Sequence, residues 1–442
     1  MTSPWHALSL LSHVDLDPDT AKQAVDHLSG HDPTVLADIA IRWRVVNLLL
    51  ANLENAELTA SLATLVQLLD EDRRQDSLRI AEALPVTMSV LEQAEACGCR
   101  VIKGLAYRDL YPRPDLRHMG DIDLQAPTWP IALAMVGWLR DRGWQWDTSE
   151  YPWLKWDDAG MLYGQLPLVL PDNATPVARV DMHIGPFSVG HAGLLPLIGW
   201  RRGEALGVPV TVPDRETSIA LLTAHAVGDG LLSMKDVNDL HLLLQTGTPD
   251  WTSTVELCRA AHVSEALSLL LSALEDAYPG HDLPQGVLAA AGSSPLAGSA
   301  QGHLQVLAED RARRAERIAE LCLRDELARG NSPDQAIREA AVARRYYSAD
   351  LRPRSGTPTS DGAAPGHTGR GRCWRLVPEQ RWDRLASTGG EAARRHRELA
   401  PGLTLVTAGP AMAIQLGTDI MTPTVWGEVD PRSVWLAREL RK

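Results

Sequence analysis

The sequence has little cysteine, and its spacing suits neither a disulfide framework nor a zinc site. The five cysteines in 442 residues are Cys97, Cys99, Cys258, Cys322 and Cys373. Cys97 and Cys99 form a C-x-C pair, but no second pair follows at zinc-finger spacing. An odd number at irregular spacing argues against a secreted, disulfide-held domain and favours a reducing compartment.

The sequence also lacks a long apolar run. No stretch approaches the roughly 20 apolar residues that a helix needs to span a bilayer. The N-terminal stretch MTSPWHALSLLSHVDLD contains no lysine or arginine, which argues against a secretory signal. Together these absences predict a cytoplasmic protein with no membrane partner.

Positive charge is scarce, and lysine is its rarest source. Lysine and arginine total 43 against 56 acidic residues, which gives a formal net charge of −13. A sequence-independent nucleic-acid binder needs a basic face, so nucleic acid is an unlikely partner for this chain. The lysines are Lys22, Lys103, Lys155, Lys235 and Lys442. A lysine retained within a motif therefore carries more information than an arginine.

The remaining composition is that of an ordinary globular protein. Hydrophobic residues make up 45% and charged residues 22%, and the length allows two or three domains. The segment RPRSGTPTSDGAAPGHTGRGR is rich in proline, glycine, serine and threonine, which is typical of a flexible linker. The predicted division is a helical N-terminal region over 1–80, a core with following helices over 81–285, a helical extension over 286–350, a linker over 351–372 and a small C-terminal region over 373–442.

The hydrophobic periodicity changes from helical to strand-like near residue 99. Apolar runs over 162–170 and 177–184 flank the turn sequence PDNATP, which predicts an antiparallel hairpin. A further short strand is predicted over 208–212. The predicted helices cover 56–69, 76–96, 131–142, 214–227, 233–244, 252–261, 264–278, 301–329 and 332–347. Strands between two helical stretches predict an α+β fold.

The motif Asp121-Ile-Asp123-Leu is the strongest candidate for chemistry. Residues two apart in a strand project from the same face, so both carboxylates would lie together. Adjacent carboxylates repel each other unless a cation separates them, and Mg²⁺ prefers carboxylate oxygens with water and phosphate. The motif therefore predicts a metal site, although D-x-D also occurs in many solvated turns.

Asp181 is the only acid in a second strand-like run, V-A-R-V-D-M-H-I. Placed beside the first strand, it would complete a three-carboxylate cluster that could hold two metal ions roughly 3.5–4 Å apart for phosphoryl transfer. The alternative is a surface acid on an edge strand. His183 lies two residues further along and hence on the same face. It is a metal ligand, a group that orients a ligand, or a structural histidine.

Three cations are candidates for binding phosphate. Lys103-Gly104 lies between a β-like run and a helix, where glycine lets the backbone approach phosphate and lysine adds charge. Arg117 lies just before the D-I-D motif, where it would contact phosphate or pair with a carboxylate. Lys235 and Asp239 are four residues apart, so a helix ion pair is the alternative to a triphosphate contact.

Two tryptophans near the third lysine are candidates for stacking on a base. Trp153 and Trp156 flank Lys155 in a stretch that we predict to be a loop. A hydrophobic lid explains the same residues equally well.

The stretch RVIKGLAYRDLYPRPDLRHMGDIDL resembles the pattern of an uncharacterised nucleotidyltransferase family within the DNA polymerase β-like nucleotidyltransferase superfamily. That pattern has an L-K-G-x-A-type turn, then Y-P, then R-x-x-x-D-I-D-L. The V-D-M-H run around Asp181 and the helical run over 225–244 also resemble the family, so the resemblance covers under half of the chain. The matching residues are Lys103, Gly104, Ala106, Tyr111, Pro112, Arg117, Gly120, Asp121, Asp123 and Leu124.

The resemblance implies a small mixed-sheet nucleotidyltransferase core flanked by helices, between a helical N-terminal region and a helical C-terminal half. It implies transfer of a nucleoside monophosphate from an NTP, such as ATP, to an acceptor, with release of pyrophosphate. It implies two Mg²⁺ ions, or Mn²⁺, held by the catalytic residues Asp121, Asp123 and Asp181. The implied nucleotide-binding residues are Lys103, Gly104, Arg117 and Lys235.

Two alternatives follow from departures within the sequence. Many superfamily members have Gly-Ser at the phosphate turn, whereas this chain has Lys103-Gly104, which also fits a decayed nucleotide-binding or regulatory protein. A sugar transferase with Mn²⁺ on its D-x-D motif would need a long αβ half before that motif, where this chain is helical. For the transferase, we expect a small-molecule or peptide acceptor, because an acidic chain disfavours long nucleic acid.

Overall fold

The computed structural model describes residues 4–156, 160–172, 176–189, 193–229, 233–261, 263–281, 373–385, 387–389, 392–424 and 428–442, with scattered positions between 282 and 372. The chain forms two compact units. The first comprises residues 1–88, 102–120 and 188–317, and the second comprises residues 89–101, 121–187 and 318–442. The division into five segments stays a prediction.

The first unit is mainly helical. Its helices, of which α5 continues into the second unit, are α1 (Pro4–Leu11), α2 (Pro18–Leu28), α3 (Pro33–Arg42), α4 (Val46–Asn55), α5 (Ala63–Cys97), α6 (Gly104–Arg108), α8 (Arg215–Asp229), α9 (Met234–Gln245), α10 (Trp251–Ala260) and α11 (Ser264–Ala277). Strands β9 (Trp200–Ala205) and β10 (Val208–Pro213) form an antiparallel hairpin. The predicted strand over 208–212 and the four helices predicted between 214 and 278 are confirmed.

Side-chain caps explain where several of these helices begin. Asp17 and Asp32 each accept hydrogen bonds from backbone N–H groups of the first turn, and proline follows each of them. Ser233 caps α9 in a reciprocal arrangement with Asp236, which satisfies two backbone donors. The Asp-Pro and Ser-x-x-Asp patterns therefore mark these helix starts in the sequence itself.

Helix α5 is continuous where the sequence predicts separate helices over 56–69 and 76–96. The expected break contains neither glycine nor proline, and its charges pair along the helix, Arg73 with Asp70 and Arg74 with Glu71. Such pairs support a helix through a polar stretch. Although α5 has 35 residues, none of the described helices combines the length and apolarity needed to cross a membrane.

The second unit is built on one mixed sheet of 11 strands. Its strands are β1 (Arg100–Val101), β2 (Ile122–Ala126), β3 (Gln145–Trp146), β4 (Trp153–Trp156), β5 (Leu162–Leu170), β6 (Ala178–Ile184), β12 (Cys373–Pro378), β13 (Arg394–Ala400), β14 (Leu403–Ala408), β15 (Ala411–Leu416) and β16 (Asp419–Thr424). Their order is β1-β2-β6-β5-β4-β12-β16-β15-β14-β13, and β3 pairs with β5. Two separate two-stranded sheets are also present. Strands β11 (Arg354–Ser355) and β17 (Glu428–Val429) form one in the second unit, and β7 (Phe187–Val189) and β8 (Gly193–Leu195) form the other, which lies in the first unit except for Phe187.

The centre of this sheet has one apolar and one polar face. Strands β2 and β6 are parallel, and β5 and β6 form the predicted antiparallel hairpin. Helix α7 (Trp129–Arg140) packs on the apolar face. Trp129 donates a hydrogen bond to the Leu162 carbonyl and lies 3.5 Å from the position of a Cβ on Gly164. Gly164 is the register partner of Ile184, so the face opposite α7 carries the alternate residues of β5 and β6.

The expectation of a helical C-terminal half is wrong for the described residues after 372. These residues form β12–β17, a short 3₁₀ helix (Glu379–Arg384) between β12 and β13, and the helix α12 (Pro431–Arg441) at the end. Four of the six residues in each of β14 and β15 are buried, and Gly402, Gly409 and Gly417 adopt positive φ angles at the turns between strands. The sheet is consequently larger than predicted. The predicted helix over 301–329 and the linker over 351–372 lie almost entirely outside the described residues. Within the helix predicted over 332–347, the described positions 333, 334, 336, 337, 340 and 341 are helical.

Candidate active site

Two carboxylates lie side by side on the polar face of the second unit. Asp123 on β2 and Asp181 on β6 are direct register partners in a parallel pair, so both side chains project from the same face. The hydrophobic neighbours Leu124 and Met182 alternate to the other face and are completely buried. Strand alternation therefore brings together two acids that are 58 residues apart in the sequence.

His183 joins these carboxylates to form a group of three potential metal ligands. One ligand atom from each of Asp123, Asp181 and His183 lies within 4.8 Å of the others. The His183 Nε2 atom is 3.1 Å from Asp123 Oδ1. All three side chains are buried, with exposures of 3% to 5%. Carboxylate and imidazole groups together suit a divalent cation, which would offset the cost of burying two like charges.

Two further side chains hold the Asp181 carboxylate in place from neighbouring strands. Gln165 on β5 donates a hydrogen bond from Nε2 to Asp181 Oδ2 at 2.8 Å. Trp153 on β4 donates from its indole nitrogen to Gln165 Oε1 at 3.1 Å. Because the tryptophan occupies the amide oxygen, the amide nitrogen is directed at the carboxylate. Such supporting groups set the orientation of metal ligands.

Gln125 is a buried polar residue of this face for which sequence reasoning found no role. It is the register partner of His183 and is 4% exposed. Its Nε2 donates to the backbone carbonyls of Gly185 and Ala126 at 3.0 and 3.2 Å. Within the described part of the chain, its Oε1 accepts no hydrogen bond. The sequence did contain a signal, since a glutamine interrupts an otherwise apolar continuation of the strand.

Asp121 lies immediately before β2 and is half-buried. It is not a member of the ligand group that Asp123, Asp181 and His183 form among the described residues. Its role as a third carboxylate ligand stays a prediction. Strand geometry places it on the correct face only if the extended backbone continues one residue beyond the strand.

Arg117, a predicted phosphate ligand, lies in the first unit in a buried ion pair. Its Nε and Nη2 atoms donate to the two carboxylate oxygens of Asp239 at 2.9 and 2.7 Å. The side chains are 4% and 0% exposed. Burial alone would lower the pKa of the Arg117 guanidinium, but the Asp239 carboxylate raises it above its ordinary value. The Tyr111 hydroxyl also donates to Asp239, at 2.9 Å.

Lys235 belongs to the same buried network of the first unit. Its Nζ lies 2.6 Å from Asp236 and 3.7 Å from Asp239. Burial would raise the pKa of the Asp236 carboxyl, but the Lys235 ammonium outweighs burial and lowers it. The i, i+4 ion pair anticipated as the alternative is therefore present. Phosphate binding by Lys235 stays a prediction.

The Lys103-Gly104 turn also lies in the first unit and has an unexpected backbone. The left-handed φ belongs to Lys103, at 53°, and not to the glycine. A Cβ on Gly104 would lie 3.1 Å from Arg117 Nη1, so the glycine leaves room for the arginine side chain. Helix α6 has only five residues. Nucleotide binding by Lys103 and Gly104 stays a prediction.

The tryptophans that flank Lys155 lie on strand β4, so the expectation of a loop is wrong. Alternation separates them. Trp153 and Lys155 share the face of the acidic cluster, whereas Trp156 lies on the other face and packs against Trp374 with ring centroids 5.0 Å apart. Trp153 therefore lies on the face of the acidic cluster, and the half-buried Trp156 lies on the opposite face.

Comparison with known proteins assigns a family to the greater part of the chain. The family described as "Uncharacterised nucleotidyltransferase" matches residues 29–279, which is more than half of the 442 residues. No curated protein matches the chain significantly. The matched span contains Asp121, Asp123, Asp181 and the other predicted site residues, and β12–β17 lie outside it.

Proposed function

We propose that Asp123 and Asp181 hold a divalent metal ion, and that at this ion the protein transfers a nucleoside monophosphate from an NTP to an acceptor. The chain belongs to the uncharacterised nucleotidyltransferase family and is therefore a transferase enzyme. The family implies the NTP substrate. The observation that carries the metal assignment is the register pairing of the two buried carboxylates, with His183 beside them. From the family resemblance, we propose that the ion is Mg²⁺ and that Asp121 is a further ligand. We also propose that a second ion binds at the site.

The reaction requires one bond to form and one to break. An acceptor hydroxyl oxygen would attack the α-phosphorus, the bond between the α-phosphorus and the bridging oxygen would break, and pyrophosphate would leave with that oxygen. A divalent ion at the carboxylates would neutralise the charge that develops on the phosphates. Asp181 is the proposed acceptor of the hydroxyl proton. Gln165 would keep one of its oxygens oriented, and His183 would do the same for Asp123.

The acceptor class follows from charge. With a net charge of −13, the chain is poorly suited to a long polyanionic acceptor such as RNA. A small molecule or a peptide with a free hydroxyl is the proposed acceptor. Its identity requires a screen against labelled NTPs.

Metal and nucleotide titrations test this proposal. Mn²⁺ and Mg²⁺ would be titrated into the full chain, followed by ATP, GTP, CTP and UTP, with Asp123→Asn and Asp181→Asn as site variants. Asp172→Asn is the matched control, because Asp172 is exposed in the turn between β5 and β6 and undergoes the same charge change. We expect both site variants to lose metal binding and metal-dependent NTP binding, and the control to retain both.

Two outcomes would redirect the assignment. Metal binding that survives in both site variants would place the metal elsewhere and reject the role of the paired carboxylates. Metal and NTP binding without release of pyrophosphate, across a panel of hydroxyl acceptors, would favour the decayed nucleotide-binding protein instead.

A further inference from the structure

The large sheet of the second unit ends in a strand whose side chains are exposed. Strand β13 is the last in the strand order and, among the described residues, pairs only with β14. The first five residues of β13 are exposed, whereas four of the six residues of β14 are buried. At this end of the sheet the apolar core therefore stops at β14, and core packing does not explain the side chains of β13.

Most of these exposed side chains are basic. The consecutive basic residues of β13 are Arg394, Arg395, His396 and Arg397, and Glu398 follows them. Within the described part of the chain, the side chains of Arg394 and Arg395 form neither an ion pair nor a hydrogen bond. In a chain with a net charge of −13, β13 is thus a local concentration of positive charge.

The basic side chains project from both faces of the sheet. Register pairing with β14 is continuous over 394–398 and becomes irregular only beyond that range. Strand alternation places Arg395 and Arg397 on one face and Arg394 and His396 on the other. A further strand laid along β13 would therefore meet basic side chains on each of its faces.

The outer edge of β13 also carries backbone donors and acceptors. In an antiparallel pair, alternate residues direct their N–H and C=O groups toward the neighbouring strand, and the residues between them direct these groups outward. Among the described residues, no backbone hydrogen bond joins the outer edge of β13 to another segment. An edge of this kind is a template for an added strand.

Charge and hydrogen-bonding chemistry distinguish the partners that would cover a basic edge. A second copy of β13 would set arginine against arginine, and like charges directly opposite each other destabilise a strand pair. Nucleic acid matches the charge, but phosphate offers only acceptors and would leave the outward carbonyls unmatched. An extended acidic peptide supplies carboxylates together with N–H and C=O groups at the spacing of a strand.

We propose that the outer edge of β13 binds an extended acidic segment of a partner protein by strand addition. Carboxylates of the partner would lie opposite the arginines, and the two backbones would form the hydrogen bonds of a further strand. The charges that keep a second copy away also favour an acidic strand. Strand β13 lies outside the family span of 29–279 and outside the strands of the acidic cluster, so the inference does not depend on the proposed function.

A labelled peptide tests the inference. The probe is a short fluorescein-labelled peptide in which consecutive glutamates are flanked by threonine and valine, which favour extended backbone. Its fluorescence anisotropy would be followed during titration with the full chain at low salt. A peptide with glutamine in place of glutamate removes the charge. A peptide N-methylated at every glutamate keeps the charge but removes the backbone donors.

The site variant is Arg394→Gln/Arg395→Gln, which changes two exposed side chains and leaves the strand in place. Arg201→Gln/Arg202→Gln is the matched control, because these are also consecutive exposed arginines on a strand, β9. We expect the site variant to bind the glutamate peptide about tenfold more weakly than the wild type, since two cross-strand charge pairs are lost. The control should bind it like the wild type, and both modified peptides should bind the wild type at least about tenfold more weakly.

Several results would overturn the inference. These are no binding of the glutamate peptide by the wild type, equal binding by the site variant, or an equal loss in the control. Undiminished binding of the N-methylated peptide would reject strand addition. A single-stranded oligonucleotide that binds more tightly than the peptide, and loses affinity in the site variant, would assign the surface to nucleic acid instead. Asp123→Asn should bind the peptide like the wild type, so failure of this inference is distinguishable from failure of the proposed function.

Discussion

Asp123 and Asp181 are direct register partners on the parallel strands β2 and β6, and both carboxylates are at least 95% buried. Because the two strands are parallel and the two acids are in register, two negative charges lie at neighbouring positions on one face of the sheet. Burial of two carboxylates at such positions is costly without a cation. The pair, with His183 against one carboxylate and Gln165 against the other, could therefore hold a cation.

His183→Gln tests whether the imidazole selects the metal. Imidazole nitrogen suits transition metals better than it suits Mg²⁺, so we expect Mn²⁺ affinity to fall about tenfold or more and Mg²⁺ affinity to fall less. Nitrogen coupling in the Mn²⁺ electron paramagnetic resonance signal of the wild type would disappear in the variant. His396→Gln, on the exposed strand β13, is the control. Equal losses for the two ions would reject selection by His183.

Gln165→Met tests the support of the Asp181 carboxylate. The variant keeps similar volume but removes the donor that lies 2.8 Å from Asp181 Oδ2. We expect metal affinity to fall about 10- to 100-fold while the protein stays folded. Gln415→Met on β15 removes a glutamine remote from the cluster and should leave the titration unchanged. Wild-type affinity in Gln165→Met would show that the glutamine does not position the ligand.

Asp239→Asn tests the buried network of the first unit. The change leaves the Arg117 guanidinium buried opposite a neutral amide, so we expect a loss of about 3–5 kcal/mol in the free energy of unfolding. Urea denaturation measures this loss. Asp115→Asn is the matched control, because its partner Arg113 is exposed and the loss there should be below about 1 kcal/mol. Similar losses in the two variants would contradict the importance of burial.

The pH dependence of stability tests His13. Burial, with His241 nearby, lowers the pKa of His13 from 6.5 to about 4. Between those values the unfolded chain binds a proton that the folded chain does not, so stability falls as the pH falls from 6.5 toward 4. We expect the titration of His13 to lower the free energy of unfolding by about 3 kcal/mol over that pH window.

His13→Phe separates this titration from packing, because phenylalanine can keep the stacking on Tyr278, whose ring centroid lies 4.3 Å away. Urea denaturation at several pH values across the window gives the slope of the free energy of unfolding against pH. This slope should be smaller in the variant by the equivalent of about one bound proton. An unchanged slope would assign the pH dependence to other groups, such as His241, whose pKa burial also lowers.

Local patterns were sufficient to predict much of the secondary structure that carries the candidate site. Apolar runs on either side of a turn sequence predicted β5 and β6 and the hairpin between them, and helical periodicity predicted α8 to α11. Strand alternation predicted that Asp181 and His183 share a face, and both belong to the group of potential metal ligands. These predictions succeed because strand and helix periodicity depend on residues only a few positions apart. The predicted place of Asp121 beside Asp123 stays a prediction.

Other expectations failed where contacts distant in sequence decide the outcome. The stretch around Trp153 lacks strand periodicity over a useful length, yet it becomes β4 because β5 and β12 pair with it on both sides. The expectation of a helical C-terminal half failed after residue 372, where the strands stabilise one another through pairing. Pairing of this kind cannot be deduced from local propensity.

The sequence by itself determined which residues are available for chemistry, the helices and strands that carry them, and the resemblance that the family match confirmed. Tertiary structure alone decided the partners. It set Asp181 in register with Asp123, placed Arg117 against Asp239, and brought Arg375 onto the face of the acidic cluster. Strand register and buried ion pairs join residues far apart in the chain, so the free energy that selects them arises only when those segments pack together.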